Sequence, residues 1–238
     1  MLVDYRLHPL GENAVMIELG NDLNLETQEK VHAISSFLDE HPFEWMIEYV
    51  PAFSTITIFY DPFKIMNIIN TKSPYDFVCQ QLQQLLSKIS LRQQVESRVV
   101  EIPVCYGGKF GPDLETVASI NRLTTEEVIN IHSSAEYTVY MIGFAPGFPY
   151  LGGMSEKIAA PRLQSPRLKI PERTVGIAGK QTGVYPIETP GGWQLIGRTP
   201  IKLFRPKDEV PSLLNAGDKV RFKPISYEEY VEWEGKEA

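Results

Sequence analysis

Two kinds of apolar pattern follow one another along the first ninety residues. In Thr55–Tyr60, apolar and polar positions alternate in steps of two, which predicts a β-strand. Val31, Ile34 and Leu38 recur at helical spacing, which predicts a helix. The order of such elements predicts an α+β domain of ββαββα type over residues 1–90. Its strands are expected at 5–9, 14–19, 45–50 and 55–60, and its helices at 24–40, with Asn24 as the N-cap, and from Ser73 to about Ile89.

The pattern changes after the polar residues 91–98, which are the expected linker between domains. Short apolar runs separated by glycine and proline turns follow, which is typical of a barrel or a sandwich. Asp113 is placed to cap a helix, and Thr124 and Glu127 form a T-x-x-E capping box for a second one. The sequence thus predicts a mostly β domain over residues 99–238, with a solvated acidic tail from Tyr227. Its strands are expected at 99–104, 137–142, 174–178, 183–187, 194–197, 201–205 and 219–223, and its helices at 114–121 and 124–132.

The stretch from Gly143 to Pro200 has the most unusual composition. It holds ten of the 17 glycines and eight of the 18 prolines, which indicates an irregular backbone of preset shape. It also carries seven basic and three acidic residues, so its net charge is +4 while that of the whole chain is −7. A basic stretch in an acidic protein favours a site for a small anion or an acidic partner, although ordinary solvated charges remain an alternative.

Aromatic side chains are interleaved with the turns of this stretch. They are Phe144, Phe148, Tyr150, Tyr185 and Trp193, and rings at such positions line a groove or cap a core. The glycines between these aromatic residues either help to shape a binding site or serve only to form the turns. The composition alone leaves both alternatives open.

Composition and motif searches narrow the class of protein. With 43% hydrophobic and 22% charged residues, the chain is typical of a folded soluble protein, and it shows neither a signal peptide nor an apolar run long enough for a membrane span. The two cysteines lack metal-ligand spacing, which favours a reduced, cytoplasmic setting. The four histidines are scattered along the chain, which argues against a metal site. The negative net charge argues against nucleic acid as the main partner. No Walker, G-x-S-x-G or H-E-x-x-H motif occurs, so the identity of any catalytic residue is unknown.

Three long motifs carry a family resemblance. GFAPGFPYLGG at 143–153, VGIAGKQTGVYP at 175–186 and TPGGWQLIGRTP at 189–200 closely resemble the PxpB/KipI family, also labelled allophanate hydrolase subunit 1-like. EYVPAFSTITIFYDP at 48–62 and NAGDKVRF at 215–222 support the match, so that it spans nearly the whole chain. The resemblance implies an α+β domain followed by a cyclophilin-like β-barrel. A barrel of this type does not by itself imply prolyl isomerase activity, because fold does not transfer function.

The resemblance implies two functions. One is the B subunit of a bacterial ATP-dependent 5-oxoprolinase, which acts with PxpA-like and PxpC-like subunits to open 5-oxo-L-proline to L-glutamate. The complex uses ATP, and no cofactor is expected to bind to this chain. The other is a KipI-type inhibitor of the sporulation kinase KinA, with a KipA-like partner and a sensor histidine kinase as its target. The residues expected to bind substrate or partner are Phe144, Pro146, Phe148, Tyr150, Arg162, Arg167, Gln181, Thr182, Tyr185, Trp193 and Arg198. In the enzyme, the arginines would hold anions, Gln181, Thr182 and Tyr185 would orient the ring, and Trp193 and Phe148 would exclude water.

Two residues depart from the family pattern. Arg173 stands where a glycine is expected in the turn at 171–174, and Thr189 replaces a serine. If that glycine needs a positive φ, Arg173 implies a rearranged turn. Thr189 keeps the hydroxyl, so this second change is expected to matter little.

Overall fold

A computed structural model describes residues 4–20, 25–69, 73–89 and 97–237 of the 238-residue chain. The chain divides into two units, Met1–Glu96 and Ser97–Ala238. The predicted cap Asn24 and most of the expected linker at 91–98 lie outside the described residues, so both stay predictions. Among the described helices, none combines the length and the apolar composition that crossing a bilayer requires.

The first unit is a four-stranded antiparallel sheet with helices. The sheet order is β1-β2-β4-β3, and its buried side chains, such as Ile56 and Ile58, pack with Ile34 and Leu82 of the helices. Ser73 caps the last helix by accepting a hydrogen bond from the backbone N–H of Asp76, as its position predicts. The elements are β1 (Arg6–Pro9), β2 (Ala14–Glu18), α1 (Leu25–Glu40), β3 (Met46–Pro51), β4 (Thr55–Tyr60), α2 (Pro62–Ile69) and α3 (Pro74–Lys88).

Helix α2 is absent from the sequence prediction, which only ended a strand at Asp61 and Pro62. The Asp61 carboxylate accepts hydrogen bonds from the backbone N–H groups of Phe63 and Lys64. An acidic N-cap followed by proline is a standard helix start, because the proline has no N–H to leave unpaired. This signal was present in the sequence.

The second unit contains a closed barrel, with strand order β10-β7-β6-β13-β5-β12-β9. Neighbouring strands are antiparallel except β13 and β5, which pair in parallel. Whether the barrel is cyclophilin-like stays a prediction. The elements are β5 (Val99–Tyr106), α4 (Leu114–Asn121), α5 (Thr125–Ser134), β6 (Glu136–Ile142), β7 (Pro149–Gly152), a 3-10 turn (Glu156–Ile158), β8 (Arg167–Ile170), β9 (Thr174–Ala178), β10 (Gln181–Val184), β11 (Thr189–Gly191), β12 (Gln194–Arg198), β13 (Lys219–Pro224) and α6 (Tyr227–Glu237).

Several predicted elements of this unit are wrong. Residues 201–205 form no strand and make a single bridge, between Phe204 and Ser212. The predicted strand at 183–187 lies earlier, as β10, and the short strands β7, β8 and β11 were not predicted. The acidic tail is a helix, α6, because Tyr230 is buried against the ring of Phe110 at 4.5 Å.

Of the two caps predicted in the second unit, one is confirmed. Thr124 and Glu127 form a complete capping box at the start of α5. Asp113 occupies the N-cap position of α4, but its side chain makes no capping hydrogen bond. Its carboxylate instead binds groups of the candidate site.

Candidate functional site

A cluster of rings covers the outer side of the barrel strands β9, β10 and β12. Phe148 is the centre, with its ring centroid 5.5 Å from Tyr185 and 5.7 Å from Trp193, both edge-on. This cluster is separate from the core inside the barrel. We call it the aromatic cluster; its buried members are Phe148, Ile170, Ala178, Tyr185, Trp193 and Leu195.

Glycine at position 183 lets the rings lie directly on the strands. A Cβ atom on Gly183 would lie 3.2 Å from the rings of both Phe148 and Trp193. That distance is too short for a comfortable contact in a packed core. This glycine therefore serves the packing of the aromatic cluster rather than a turn, since its φ is not positive.

The cluster resolves the choice between a groove and a core. Phe148 and Tyr185 are each 2% exposed and Trp193 is 7% exposed, so these three rings cap a core. Trp193 and Phe148 pack against each other, and their predicted role in excluding water from a substrate stays a prediction. Tyr150 is half-buried with its ring 5.3 Å from Phe148.

Phe144 is the exposed ring at the edge of the cluster. Its side chain is 67% exposed, although its centroid lies 5.4 Å from that of Phe148. Its φ is 66°, and the N–H of Ala145 donates to the carbonyl of Gly143 at 2.7 Å. A hydrogen bond of this span around a residue of positive φ defines a γ-turn of the rare kind, which is strained for a residue with a side chain. The backbone therefore holds an apolar ring toward solvent at an energetic cost. Pro146, in the same turn, is also exposed.

Arg167 is held by a carboxylate from elsewhere in the chain. Its Nη2 lies 2.7 Å from Oδ1 of Asp113, and its Nη1 donates to the carbonyl of Trp193 at 3.4 Å. The second carboxylate oxygen, Oδ2, accepts from the backbone N–H of Leu195 at 2.7 Å. The side chain of Asp113 is 11% exposed and that of Arg167 is 31% exposed, so this ion pair is partly shielded from water. Its position fixes β8 and β12 together beside the aromatic cluster.

Arg162 and Arg167 lie close enough to Tyr185 to affect its hydroxyl. Burial raises the pKa of Tyr185 to about 12, and the two positive charges oppose that rise. Arg162 itself is exposed, and among the residues that the structure describes it makes no hydrogen bond or ion pair. It is the arginine of the predicted set whose guanidinium remains available to an anion.

Arg198 does not share this environment, contrary to the prediction of one cationic pocket. Its Nε donates to the carbonyl of Glu172 at 3.1 Å, and its guanidinium lies 5.8 Å from the ring centroid of Phe110. Arg198 therefore belongs to the contact region of α6, where it lowers the pKa of Tyr230 against the effect of burial. Arg167 and Arg198 therefore have different partners, and Arg162 makes no hydrogen bond or ion pair within the described part of the chain.

Thr182 does not act as predicted, whereas the predicted role of Gln181 stays a prediction. Thr182 is fully buried, and its hydroxyl oxygen lies 2.8 Å from Nε2 of His132 while donating to the carbonyl of Gly176 at 3.0 Å. Both groups face the barrel interior, so Thr182 cannot orient a ligand at the surface. Gln181 is half-buried in the hairpin with β9.

Arg173 keeps the conformation that the expected glycine would favour. Its φ is 68°, so the turn does not leave the left-handed region. Its guanidinium donates to the carbonyl of Pro200 at 3.0 Å and to Oε1 of Glu234 in α6 at 2.9 Å. These bonds offset the strain and tie α6 to the barrel. The hydroxyl of Thr189 is buried and has no hydrogen-bond partner in the described part of the chain.

Sequence reasoning overlooked His132 and Asp113 as organisers of this region. His132 was treated as a scattered histidine, and Asp113 as a helix cap. The available signal was a histidine and an acid close to the two short helices that interrupt the run of strands. In the residues described, no group of three or more His, Cys, Asp or Glu side chains is placed to hold a metal ion.

Fold and site together define a two-unit α/β protein whose closed barrel carries an aromatic cluster, a strained exposed ring and an available arginine on its outer surface. The chain belongs to the family described as carboxyltransferase domain, subdomain C and D, which matches residues 5–214.

Similar proteins support the resemblance seen in the sequence. The chain is 53% identical to the 5-oxoprolinase B subunit of Bacillus subtilis over 97% of each protein. A solved structure of a conserved uncharacterized protein from Pyrococcus horikoshii is 44% identical, with a TM-score of 0.56, and the match covers 94% of this chain and 100% of that one. The urea amidolyase of Lachancea kluyveri is 26% identical over 92% of this chain, which corresponds to 13% of that protein. The resemblance to the family of 5-oxoprolinase B subunits is thereby confirmed.

Proposed function

We propose that this chain is the B subunit of an ATP-dependent 5-oxoprolinase that opens 5-oxo-L-proline to L-glutamate with PxpA-like and PxpC-like subunits. The observation that carries the proposal is the 53% identity with a 5-oxoprolinase B subunit over 97% of both chains. The match to 13% of a urea amidolyase also supports a chain that works beside other domains or subunits. ATP binds to the companion subunits in this proposal, and the complex is cytoplasmic.

The chemistry of the reaction agrees with a single available arginine at the edge of the aromatic cluster. 5-Oxoproline carries a carboxylate, and acidic side chains of a companion subunit carry the same group. Arg162 is exposed and close to Tyr185, so it offers a bidentate donor for a carboxylate. Arg167 is engaged by Asp113 and positions strands instead.

A reconstitution experiment tests the function. The PxpA-like and PxpC-like chains from the same organism are combined with ATP and 5-oxoproline, with and without this chain, and glutamate formation is measured. We expect activity when all chains are present and none when this chain is omitted or used alone. Full activity without it would refute the proposal.

The kinase-inhibitor alternative stays a prediction. Trp193→Ala and Phe148→Ala would test it poorly, because they remove buried rings and would disturb folding. Phe144→Asn is the better variant, because the ring is exposed and asparagine tolerates a positive φ. Inhibition of kinase autophosphorylation that is lost in Phe144→Asn but kept in a matched surface variant would favour this alternative.

A further inference from the structure

Helix α6 is held on the barrel by few contacts. Among its residues whose side chains the structure describes, 227–235, Tyr230 is the only one that is buried. Val231 and Trp233 are 48% and 41% exposed, so both leave much of their apolar surface in water. A helix of 11 residues is only marginally stable by itself. Its place in the fold therefore depends on the few side chains that it meets on the barrel.

One ring with cations around it forms the surface that α6 covers. The ring centroid of Phe110 lies 5.1 Å from Nζ of Lys109 and 5.8 Å from Cζ of Arg198. Tyr230 of α6 packs on the same ring, with 4.5 Å between the two centroids. The guanidinium of Arg173 binds α6 one turn further along. We call this set the cationic surface; its members are Lys109, Phe110, Arg173 and Arg198.

A carboxylate and a ring of α6 occupy the cationic surface together. Oε1 of Glu234 accepts from Nη2 of Arg173 at 2.9 Å and from the hydroxyl of Tyr230 at 3.1 Å. The carboxylate of Glu172 lies 3.6 Å from Nε of Arg173. The other two cations of the surface form no ion pair within the described part of the chain. Three cations therefore face two carboxylates, and the surface keeps a net positive charge.

Arg173 holds its place on this surface at a cost in backbone energy. Its φ is 68°, which glycine would adopt without strain. Residues with side chains that persist in this region concentrate at binding sites and switch regions. The strain therefore favours a binding role for the guanidinium over a role in packing alone.

The connection before α6 allows the helix to leave while the barrel stays intact. The N–H of Ile225 donates to the carbonyl of Val104 at 3.0 Å, which ties the chain to β5 just before the helix. The N–H of Ser226 then donates to the carboxylate of Glu229 at 2.7 Å, and the N–H of Glu229 donates to Oγ of Ser226 at 3.2 Å. These capping bonds lie within the helix segment itself. Detachment of α6 therefore breaks neither the cap nor the bond to β5.

We propose that α6 is a displaceable lid, and that the cationic surface beneath it is a docking site for an acidic helical segment of another protein that carries an aromatic residue. α6 itself shows the chemistry of such a segment, because it places a ring on Phe110 and a carboxylate on Arg173. As part of the same chain, α6 acts at a high effective concentration and keeps the site closed. A partner segment competes with it, so α6 sets the affinity that a partner needs. The proposal does not depend on the proposed enzymatic function.

A full-length variant with an open lid tests the proposal. Glu234→Lys places a cation opposite Arg173 and is expected to detach α6, which loss of amide protection in the helix reports. The probe is a fluorescent peptide of residues 226–238 with the natural sequence. We expect it to bind Glu234→Lys at least about tenfold more tightly than wild type, whose own helix occupies the surface. A peptide with Tyr230→Ala and Glu234→Gln is expected to bind the open variant at least about tenfold more weakly.

Removal of one arginine shows where the peptide binds. Arg173→Gly, added to Glu234→Lys, removes the guanidinium and suits the turn, so it is expected to raise the Kd of the peptide at least about tenfold. Arg122→Gly, added in the same way, is the matched control, because Arg122 also has a positive φ, 56°, and is exposed at the end of α4. This control is expected to change the Kd less than about twofold.

Four results overturn the proposal. One is that α6 keeps its amide protection in Glu234→Lys, or loses it without any binding of the peptide. Another is that Arg173→Gly and Arg122→Gly change the Kd equally. In the wild-type protein, α6 amides that exchange as slowly as those of β5 and β13 would show that the helix opens only with the barrel, and this result counts even if Glu234→Lys does not fold. Finally, a wild-type dimer that the peptide dissociates, detected by light scattering, would assign the surface to α6 of a second copy.

Discussion

Lowering the pH is predicted to destabilise the barrel through His132. The side chain is fully buried, with Nδ1 2.7 Å from the hydroxyl of Tyr106 and Nε2 2.8 Å from that of Thr182. Because the Thr182 hydroxyl donates its proton to the carbonyl of Gly176, its oxygen accepts from Nε2–H. Nδ1 then accepts from the Tyr106 hydroxyl. The ring is therefore neutral, with its proton on Nε2.

The size of the effect follows from the pKa of the ring. Burial lowers the pKa of His132 to about 3, from an ordinary value of 6.5. The unfolded chain thus binds a proton that the folded chain does not, at any pH between these two values. The stabilisation is fully present above the unfolded pKa and is lost as the pH falls toward 3, by about 1.4 kcal/mol per pH unit. Between pH 7 and pH 5 the loss amounts to about 2 kcal/mol.

Urea unfolding at pH 7 and pH 5 measures this loss, with wild type compared with His132→Gln. Trp193 fluorescence reports on the barrel when Trp45 and Trp233 are replaced by Phe in both proteins. The variant is less stable throughout, but its loss of stability between the two pH values is expected to be smaller by about 2 kcal/mol. If His132→Gln does not fold, the NMR chemical shifts of the ring nitrogens of His132 in the wild-type protein at pH 5 show whether the ring is neutral or cationic. A cationic ring at that pH, or equal pH dependence in the two proteins, would refute the reasoning.

Two further predictions concern the bonds that hold the site and α6. Asp113→Ala is expected to destabilise the second unit by about 2 to 3 kcal/mol, because it leaves Arg167 and the N–H of Leu195 without their acceptor. Asp113→Asn is expected to lower the free energy of unfolding by less, and urea unfolding of both variants checks which of the two is the less stable. Arg173→Gly is expected to relieve about 1 kcal/mol of backbone strain yet to loosen α6, since the bonds to Pro200 and Glu234 are lost. Faster amide hydrogen exchange in α6 with unchanged exchange in β9 would show this, and unchanged exchange in α6 would contradict it.

Local signals predicted the elements that depend on local interactions. The capping box of Thr124 and Glu127 and the start of α3 at Ser73 involve residues three positions apart, so the sequence displays them directly. Strands β8 and β11 pair with each other across an intervening hairpin, and they have only four and three residues. Residues 201–205 contain three apolar residues after a proline, but they lack a neighbouring strand to pair with, so the short apolar run alone was misleading.

The partners of the arginines could not be predicted from their spacing. Arg162, Arg167 and Arg198 lie in one basic stretch, yet Arg167 pairs with Asp113 from 54 positions earlier, and Arg198 contacts the ring of Phe110. Side-chain contacts over such separations depend on the closed barrel, which the motif spacing does not encode. The aromatic residues of this stretch do lie together, but which ring is exposed depends on the γ-turn at Phe144.

The helical insertion between β5 and β6 fixes the candidate site from two sides. His132, in α5, binds Thr182 of β10 inside the barrel, and Asp113, before α4, binds Leu195 of β12 and Arg167 of β8 outside it. Strands β10 and β12 both pair with β9, and the three carry the aromatic cluster on their outer side. Loss of either contact therefore displaces the strands beneath the rings rather than any residue at the surface. The arrangement of the rings should consequently be sensitive to substitutions at His132 and Asp113, although neither residue is a member of the aromatic cluster.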